Sequence, residues 1–153
     1  MSDDGGDILT GLPVGSVARP FRCWSYYDDI VKFHETFSVP VATKPDFIPF
    51  ERVALRVSLM REELNELTTE MNEPDDNLAD IAKEGADLIV TVLGTMAEYG
   101  IPFDEVWNAV CESNLSKLDA DGKPIYRPDG KVLKSDLYQP PDIQGILNSE
   151  EIK

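Results

Sequence analysis

At 153 residues and a formal charge of −15, the chain is long enough for one domain and too acidic to bind nucleic acid through a general basic field, since phosphate contacts require clustered Lys and Arg. Cys23 and Cys111 share no CxxC spacing and no charged leader with an apolar core is present, so a soluble, reduced, cytoplasmic protein is expected. The longest weakly polar run, Ile81 to Tyr99, carries Lys83, Glu84, Asp87 and Glu98 and falls short of a membrane span of about 20 apolar residues.

Residues 1–20 are rich in Gly and Asp, lack periodicity and read as a flexible tail. Ser25 with Asp28 three residues on predicts the start of a first helix, which carries Ile30, Phe33 and Phe37 before Pro40, Pro45 and Pro49 impose a loop. From Phe50 to about Asn72, Val53, Val57, Met60, Leu64, Leu67 and Met71 recur in steps of four and three, the signature of an amphipathic helix. A third helix, apolar on most of its circumference, runs from about Leu78 to Tyr99 and stops at Gly100. A fourth follows Pro102 and continues to about Lys117. Beyond it, Asp121-Gly122 and Asp129-Gly130 mark turns between short extended segments, and Pro140-Pro141 introduces a polar tail over 143–153. The expected fold is all-α: an antiparallel helical bundle of four main helices with an irregular, turn-rich C-terminal tail, one domain spanning 21–142 with a lid segment at 118–142.

Charge is unevenly placed. Between Glu62 and Glu112 the only base is Lys83, whereas Lys117, Lys123, Arg127, Lys131 and Lys134 follow in a short stretch. If the turn between the second and third helices is centred at Asp75, Glu66 lies level with Glu84, and Glu63 with Asp87. Within each helix the i, i+3 spacing puts both carboxylates on one face, with Glu62 at the cluster edge. Lys83 projects about 100° away from Glu84 around the helix, so no local cation is expected to neutralise the set. Carboxylates converging in this way need a counter-charge, and an all-oxygen set selects Mg²⁺, or Mn²⁺, over Zn²⁺.

Glu63-Leu-Asn-Glu66 and Glu84-Gly-Ala-Asp87 on consecutive helices resemble the paired acidic motifs of the all-alpha nucleoside triphosphate pyrophosphohydrolases, which include MazG-like enzymes, dimeric dUTPases and phosphoribosyl-ATP pyrophosphohydrolases. Glu112-Ser-Asn-Leu-Ser-Lys117 resembles that group's Asn-x-Ser-Lys element. The stretches Phe33 to Pro40, Asp121 to Lys134 and Tyr138 to Asp142 look like its phosphoribosyl-ATP branch. The resemblance implies hydrolysis between the α and β phosphates of a nucleotide, with Glu63, Glu66, Glu84 and Asp87 as metal ligands and Glu62, beside Glu63, orienting or deprotonating water. It also implies that Asn114 and Lys117 meet phosphate or sugar, with Lys131, Lys134 and Tyr138 in a segment that closes over the phosphates.

His34, the one histidine, stands between Phe33 and Phe37 and is expected to face the base or ribose rather than ligate a metal. Trp24, Tyr27 and Trp107 are candidates to stack on a base, although aromatics at helical spacing are more often core. The favoured reading is a Mg²⁺-dependent pyrophosphohydrolase of a nucleoside triphosphate, dUTP or another (d)NTP, working as a homodimer or larger assembly. Phosphoribosyl-ATP hydrolysis in histidine synthesis ranks second, because the Val39 to Pro49 loop and the long tail exceed what a minimal version of that enzyme needs. A non-catalytic acidic helical module is the rival from another class.

Overall fold

The computed structural model describes residues 25–72 and 77–149. The expected tail at 1–20, Cys23, Trp24, the turn at Asp75 and residues 150–153 lie outside them. Five helices follow in order: α1 Tyr26–Thr36, α2 Phe50–Asn72, α3 Leu78–Glu98, α4 Phe103–Leu115 and α5 Ile143–Asn148. The first four fall where the sequence predicts helices, although α4 stops at Leu115, capped by Ser116, instead of reaching Lys117. The short α5 occupies the stretch expected as polar tail, where the Asp142 side chain accepts the Gly145 N–H at 2.8 Å. No strand forms among the described residues. Tyr126 and Val132 make a single antiparallel bridge around the turn at Gly130, whose φ of 85° favours glycine.

Local chemistry sets the helix ends. Ser25 and Asp28 form a reciprocal capping box at α1, with the Asp28 N–H on Ser25 Oγ at 3.1 Å and the Ser25 N–H on Asp28 Oδ2 at 2.9 Å. Asn77 caps α3 by accepting the Ala79 N–H at 3.1 Å. At the other end of α3 the Pro-rich loop uses the orphan carbonyls: Ala42 N–H donates to Ala97 O and Asp46 N–H to Tyr99 O, both at 3.0 Å. That seam requires Gly100, where φ is 63° and a Cβ would collide with the Lys44 carbonyl.

The principal packing is α2 against α3, with α1 laid on α3 and α4 touching α3 narrowly before meeting α5. Arg52 pairs with Glu98 near one end of the hairpin and Glu63 meets Asp87 further along, so the two helices are antiparallel in the predicted register. The core is small in apolar terms. Among the described residues the buried hydrophobic side chains are Ile30, Leu93 and Ala97, while Phe47, Phe50, Trp107, Leu115 and Ile89 stay largely exposed. The predicted stripe of α2 is accordingly half-buried: Val53, Val57, Met60 and Leu67 are partly covered, and Leu64 and Met71 are exposed.

Polar side chains fill the space instead. His34, Arg56, Thr91, Thr95 and Glu98 are all buried between α1, α2 and α3. The Glu98 carboxylate accepts from Arg52 Nε at 2.9 Å and from Arg56 Nε at 2.6 Å, with further contacts from the NH2 group of each arginine. Burial pushes the Glu98 carboxyl up, but the hydrogen bonds from both guanidiniums outweigh it and hold it below the usual range. His34 completes the network, its Nδ1 3.1 Å from the Pro40 carbonyl and its Nε2 3.1 Å from Arg56 NH2. A carbonyl only accepts and a guanidinium only donates, so the proton sits on Nδ1 and the imidazole is neutral. Burial, more than the neighbouring Arg56, keeps its pKa below the ordinary value.

Candidate metal centre

Along α3, Glu84, Thr91 and Glu98 recur every seven residues and are all buried, which defines the inner face of the helix. Glu98 serves the arginines at one end of this face, and Glu84 meets α2 two heptads away. Glu63 on α2 and Glu84 and Asp87 on α3 each offer a carboxylate oxygen, and these three oxygens lie within 4.8 Å of one another. Glu84 is 9% exposed, whereas Glu63 and Asp87 are half-buried. The sequence-predicted set thus converges for three of its four ligands. Glu66, one turn further along α2, is exposed and outside the three-oxygen group, and Glu62 is exposed beside Glu63.

The electrostatics are those of crowded like charges. The Glu63 carboxyl is raised above its usual range, first by burial and then by repulsion from Glu66, Asp87, Glu84 and Glu62. One expectation is corrected here. Lys83 does not point away from the acids: its Nζ lies 2.8 Å from Glu84 Oε1 and 2.9 Å from Asp87 Oδ2. A four-carbon stem is long enough to swing back over the neighbouring residue and the one four positions on, and backbone angle alone does not capture that reach. Those two hydrogen bonds, Glu84 first, raise the Lys83 pKa. The lysine is 62% exposed and sits at the rim, where such pairs hold weakly.

Lys83 leaves part of the cluster unanswered. Among the described residues, Glu84 Oε2 is a buried side-chain oxygen with no hydrogen-bond partner. A buried carboxylate oxygen without a donor is costly in a folded protein, and two further carboxylates within reach make a cation its natural complement. The donor set is entirely oxygen, which fits a hard divalent ion such as Mg²⁺ or Mn²⁺.

The residues expected to meet phosphate gather elsewhere. Lys117 Nζ donates to Asn114 Oδ1 at 2.6 Å, and Lys134 Nζ stands 3.9 Å from the centre of the Tyr138 ring. The chain folds back onto the end of α4, with Ser135 Oγ on Leu118 O at 2.6 Å and Ser113 Oγ on Gln139 O at 2.7 Å. A hydrogen bond with Ser113, followed by Lys134 and Lys117, lowers the Tyr138 pKa. Lys131 is exposed on the same arm. Among the described residues no hydrogen bond or ion pair links this basic group to Glu63, Glu84 or Asp87.

His34 lies inside the polar core, one wall of a cavity between α1 and the hairpin. Tyr27, Phe103 and Trp107 form a chain of ring contacts at 6.3 and 6.2 Å between α1 and α4. Burial, then Asp104, Glu105 and Asp28, push the Tyr27 hydroxyl up to about 12. Sequence reasoning missed Arg52, Arg56 and Glu98. Arg56 falls on the apolar stripe of α2, three residues after Val53 and four before Met60, and that misplaced charge was the available signal.

No helix of the described residues is long and apolar enough to cross a membrane. A family model described as phosphoribosyl-ATP pyrophosphohydrolase matches residues 30–114, more than half of the chain and all three converging carboxylates. A search of curated proteins finds no match.

Proposed function

The chain belongs to the phosphoribosyl-ATP pyrophosphohydrolase family and is a nucleotide pyrophosphohydrolase, a hydrolase of acid anhydrides, and from that footing we propose phosphoribosyl-ATP as its substrate and Mg²⁺ as its cofactor. The family match reverses the order expected from sequence, in which (d)NTP hydrolysis stood first. The observation that carries the metal-dependent reading is the convergence of Glu63, Glu84 and Asp87 oxygens within 4.8 Å, with Glu84 Oε2 buried and unpartnered.

In this reading Glu63, Glu84 and Asp87 hold the divalent ion, and Glu66 joins them from the exposed edge. A bound divalent cation neutralises phosphate charge and activates water for attack on the anhydride. Glu62 orients the water and takes its proton as water adds across the α–β anhydride, giving a monophosphate and pyrophosphate. Asn114, Lys117, Lys131, Lys134 and Tyr138 contribute donors to the phosphates from the 118–142 segment and the end of α4. His34 acts from the polar core on the sugar or base side. The uncovered apolar residues, Ile89, Leu55 and Leu64 among them, favour a homodimer as the working form.

The test is pyrophosphate release from phosphoribosyl-ATP, dUTP, dCTP and the other nucleoside triphosphates with Mg²⁺ and with Mn²⁺. The reading predicts phosphoribosyl-ATP as the best substrate and no turnover in a chelator. Preference for a nucleoside triphosphate would restore the reading favoured by sequence.

A further inference from the structure

Lys83 is the one base between Glu62 and Glu112, and its ammonium is tied into the acidic cluster: Nζ donates to Glu84 Oε1 at 2.8 Å and to Asp87 Oδ2 at 2.9 Å. Glu84 is thereby shared. Its Oε1 takes the lysine at the rim, while its Oε2 is buried and takes no donor among the described residues. A cation bound through Oε2 and the lysine bound through Oε1 use separate oxygens of this carboxylate, so the cluster has room for both.

The lysine also has a donor to spare. An ammonium carries three N–H groups, and Lys83 uses two of them. Among the described residues no third acceptor meets Nζ, and the side chain is exposed, so the remaining N–H is open at the mouth of the cluster. Two carboxylates hold the ammonium there, which lowers the ordering cost that a free lysine meets when it binds an anion. Charge points the same way. Glu63, Glu84 and Asp87 carry three negative charges, a divalent cation answers two, and Lys83 supplies the third. Without it the seat of an anionic substrate stays negative, with exposed Glu62 and Glu66 alongside. Lys117, Lys131 and Lys134 stand on the C-terminal arm and make no hydrogen bond or ion pair with the cluster among the described residues, so Lys83 is the base in contact with it.

We propose that Lys83 contacts the substrate, its remaining N–H donating to an oxygen of the phosphate chain, on the footing that Glu63, Glu84 and Asp87 are the metal ligands of a pyrophosphohydrolase. Nζ stands within hydrogen-bond distance of two of those three carboxylates, so an anion drawn to the ion that they hold arrives beside it. A charge-assisted hydrogen bond from an ammonium already in place binds the phosphate chain and offsets the charge that builds on the departing pyrophosphate as water adds.

Lys83→Met keeps most of the stem and removes the charge, and Lys83→Arg keeps the charge. Wild type and both variants are titrated calorimetrically with Mn²⁺ alone and then with inorganic pyrophosphate in excess Mg²⁺, and kcat/KM is measured for phosphoribosyl-ATP. In Lys83→Met, pyrophosphate affinity and kcat/KM are expected to fall about tenfold or more while Mn²⁺ affinity holds or rises, and Lys83→Arg is expected to recover most of the loss. A merely destabilised variant does not lose phosphate affinity while keeping the ion. Undiminished pyrophosphate affinity in Lys83→Met overturns the proposal, as does a wild type that binds no pyrophosphate. A parallel loss of Mn²⁺ affinity overturns it too, since the lysine then supports the ion alone. Pyrophosphate binding that depends on Lys83, with no pyrophosphate released by wild type from any nucleotide, sustains the contact and removes the hydrolytic reading instead.

Discussion

Arg56 Nε lies 2.6 Å from Glu98 Oε1, a charged pair that ties α2 to α3 within the buried polar network. Arg56 is 5% exposed and Glu98 3%, so each charge depends on the other for its solvation. Glu98→Gln leaves the Arg56 guanidinium buried without its counter-charge and is expected to cost about 3 kcal/mol or more in urea unfolding. Arg52→Gln, whose side chain is 31% exposed, is expected to cost clearly less, because water solvates what it leaves behind. Equal losses from the two variants would contradict this hierarchy.

The same network makes stability depend on pH. The His34 pKa is depressed in the fold, so the unfolded chain takes up the proton first and stability falls as pH drops below 6.5, the ordinary histidine value. Glu98 is depressed as well. Its contribution is present above its ordinary value of 4.5 and is lost as pH falls through the lower folded value. Unfolding free energies from urea titrations at pH 8 to 5 should decline with a limiting slope of about 1.4 kcal/mol per pH unit for one proton, and His34→Gln should flatten that decline.

Gly94 is required by packing, not by backbone angle. Gly94→Ala puts a methyl group against His34 Nε2 and Arg56 NH1, and neither partner can move without breaking a buried hydrogen bond. A loss of about 1–3 kcal/mol is expected in thermal or urea unfolding, against the small gain that alanine normally brings inside a helix. A stabilised variant would show that the polar core is loosely seated.

Lys83 answers part of the charge that an ion would answer. Its hydrogen bonds to Glu84 Oε1 and Asp87 Oδ2 partly neutralise the cluster, so the lysine competes with metal. Lys83→Ala is expected to tighten Mn²⁺ binding by a few-fold, in keeping with the modest worth of an exposed pair, by calorimetry at low ionic strength. Weaker binding would assign the lysine a supporting role.

The hairpin and the convergence of Glu63, Glu84 and Asp87 were legible because both rest on periodicity. Steps of three and four fixed the helices, and the symmetry of the α2–α3 turn brought Glu63 opposite Asp87. That register also sets Arg52 opposite Glu98, yet the pair went unread because a charge at a helix end looks solvated until the facing helix is considered. Lys83 was misread for another reason: a flexible side chain answers to its reach, which a helical projection omits. The convergence of the C-terminal lysines onto Asn114 and Tyr138 follows from a fold-back held by Ser113 and Ser135, single hydroxyls that leave no pattern in sequence. Polar filling of the core left a single trace in the sequence, the charge of Arg56 on the apolar stripe of α2, and nothing in His34 itself marks it as buried.

The central claim is that Glu84 and its neighbours hold the ion that hydrolysis requires. It is tested most directly by Mg²⁺-dependent pyrophosphate release from phosphoribosyl-ATP in wild type and Glu84→Gln, with helix content followed by circular dichroism. The glutamine keeps the shape and removes the charge, so release is expected to fall by at least about a hundredfold with helix content unchanged. Full activity in a folded Glu84→Gln protein would contradict the account.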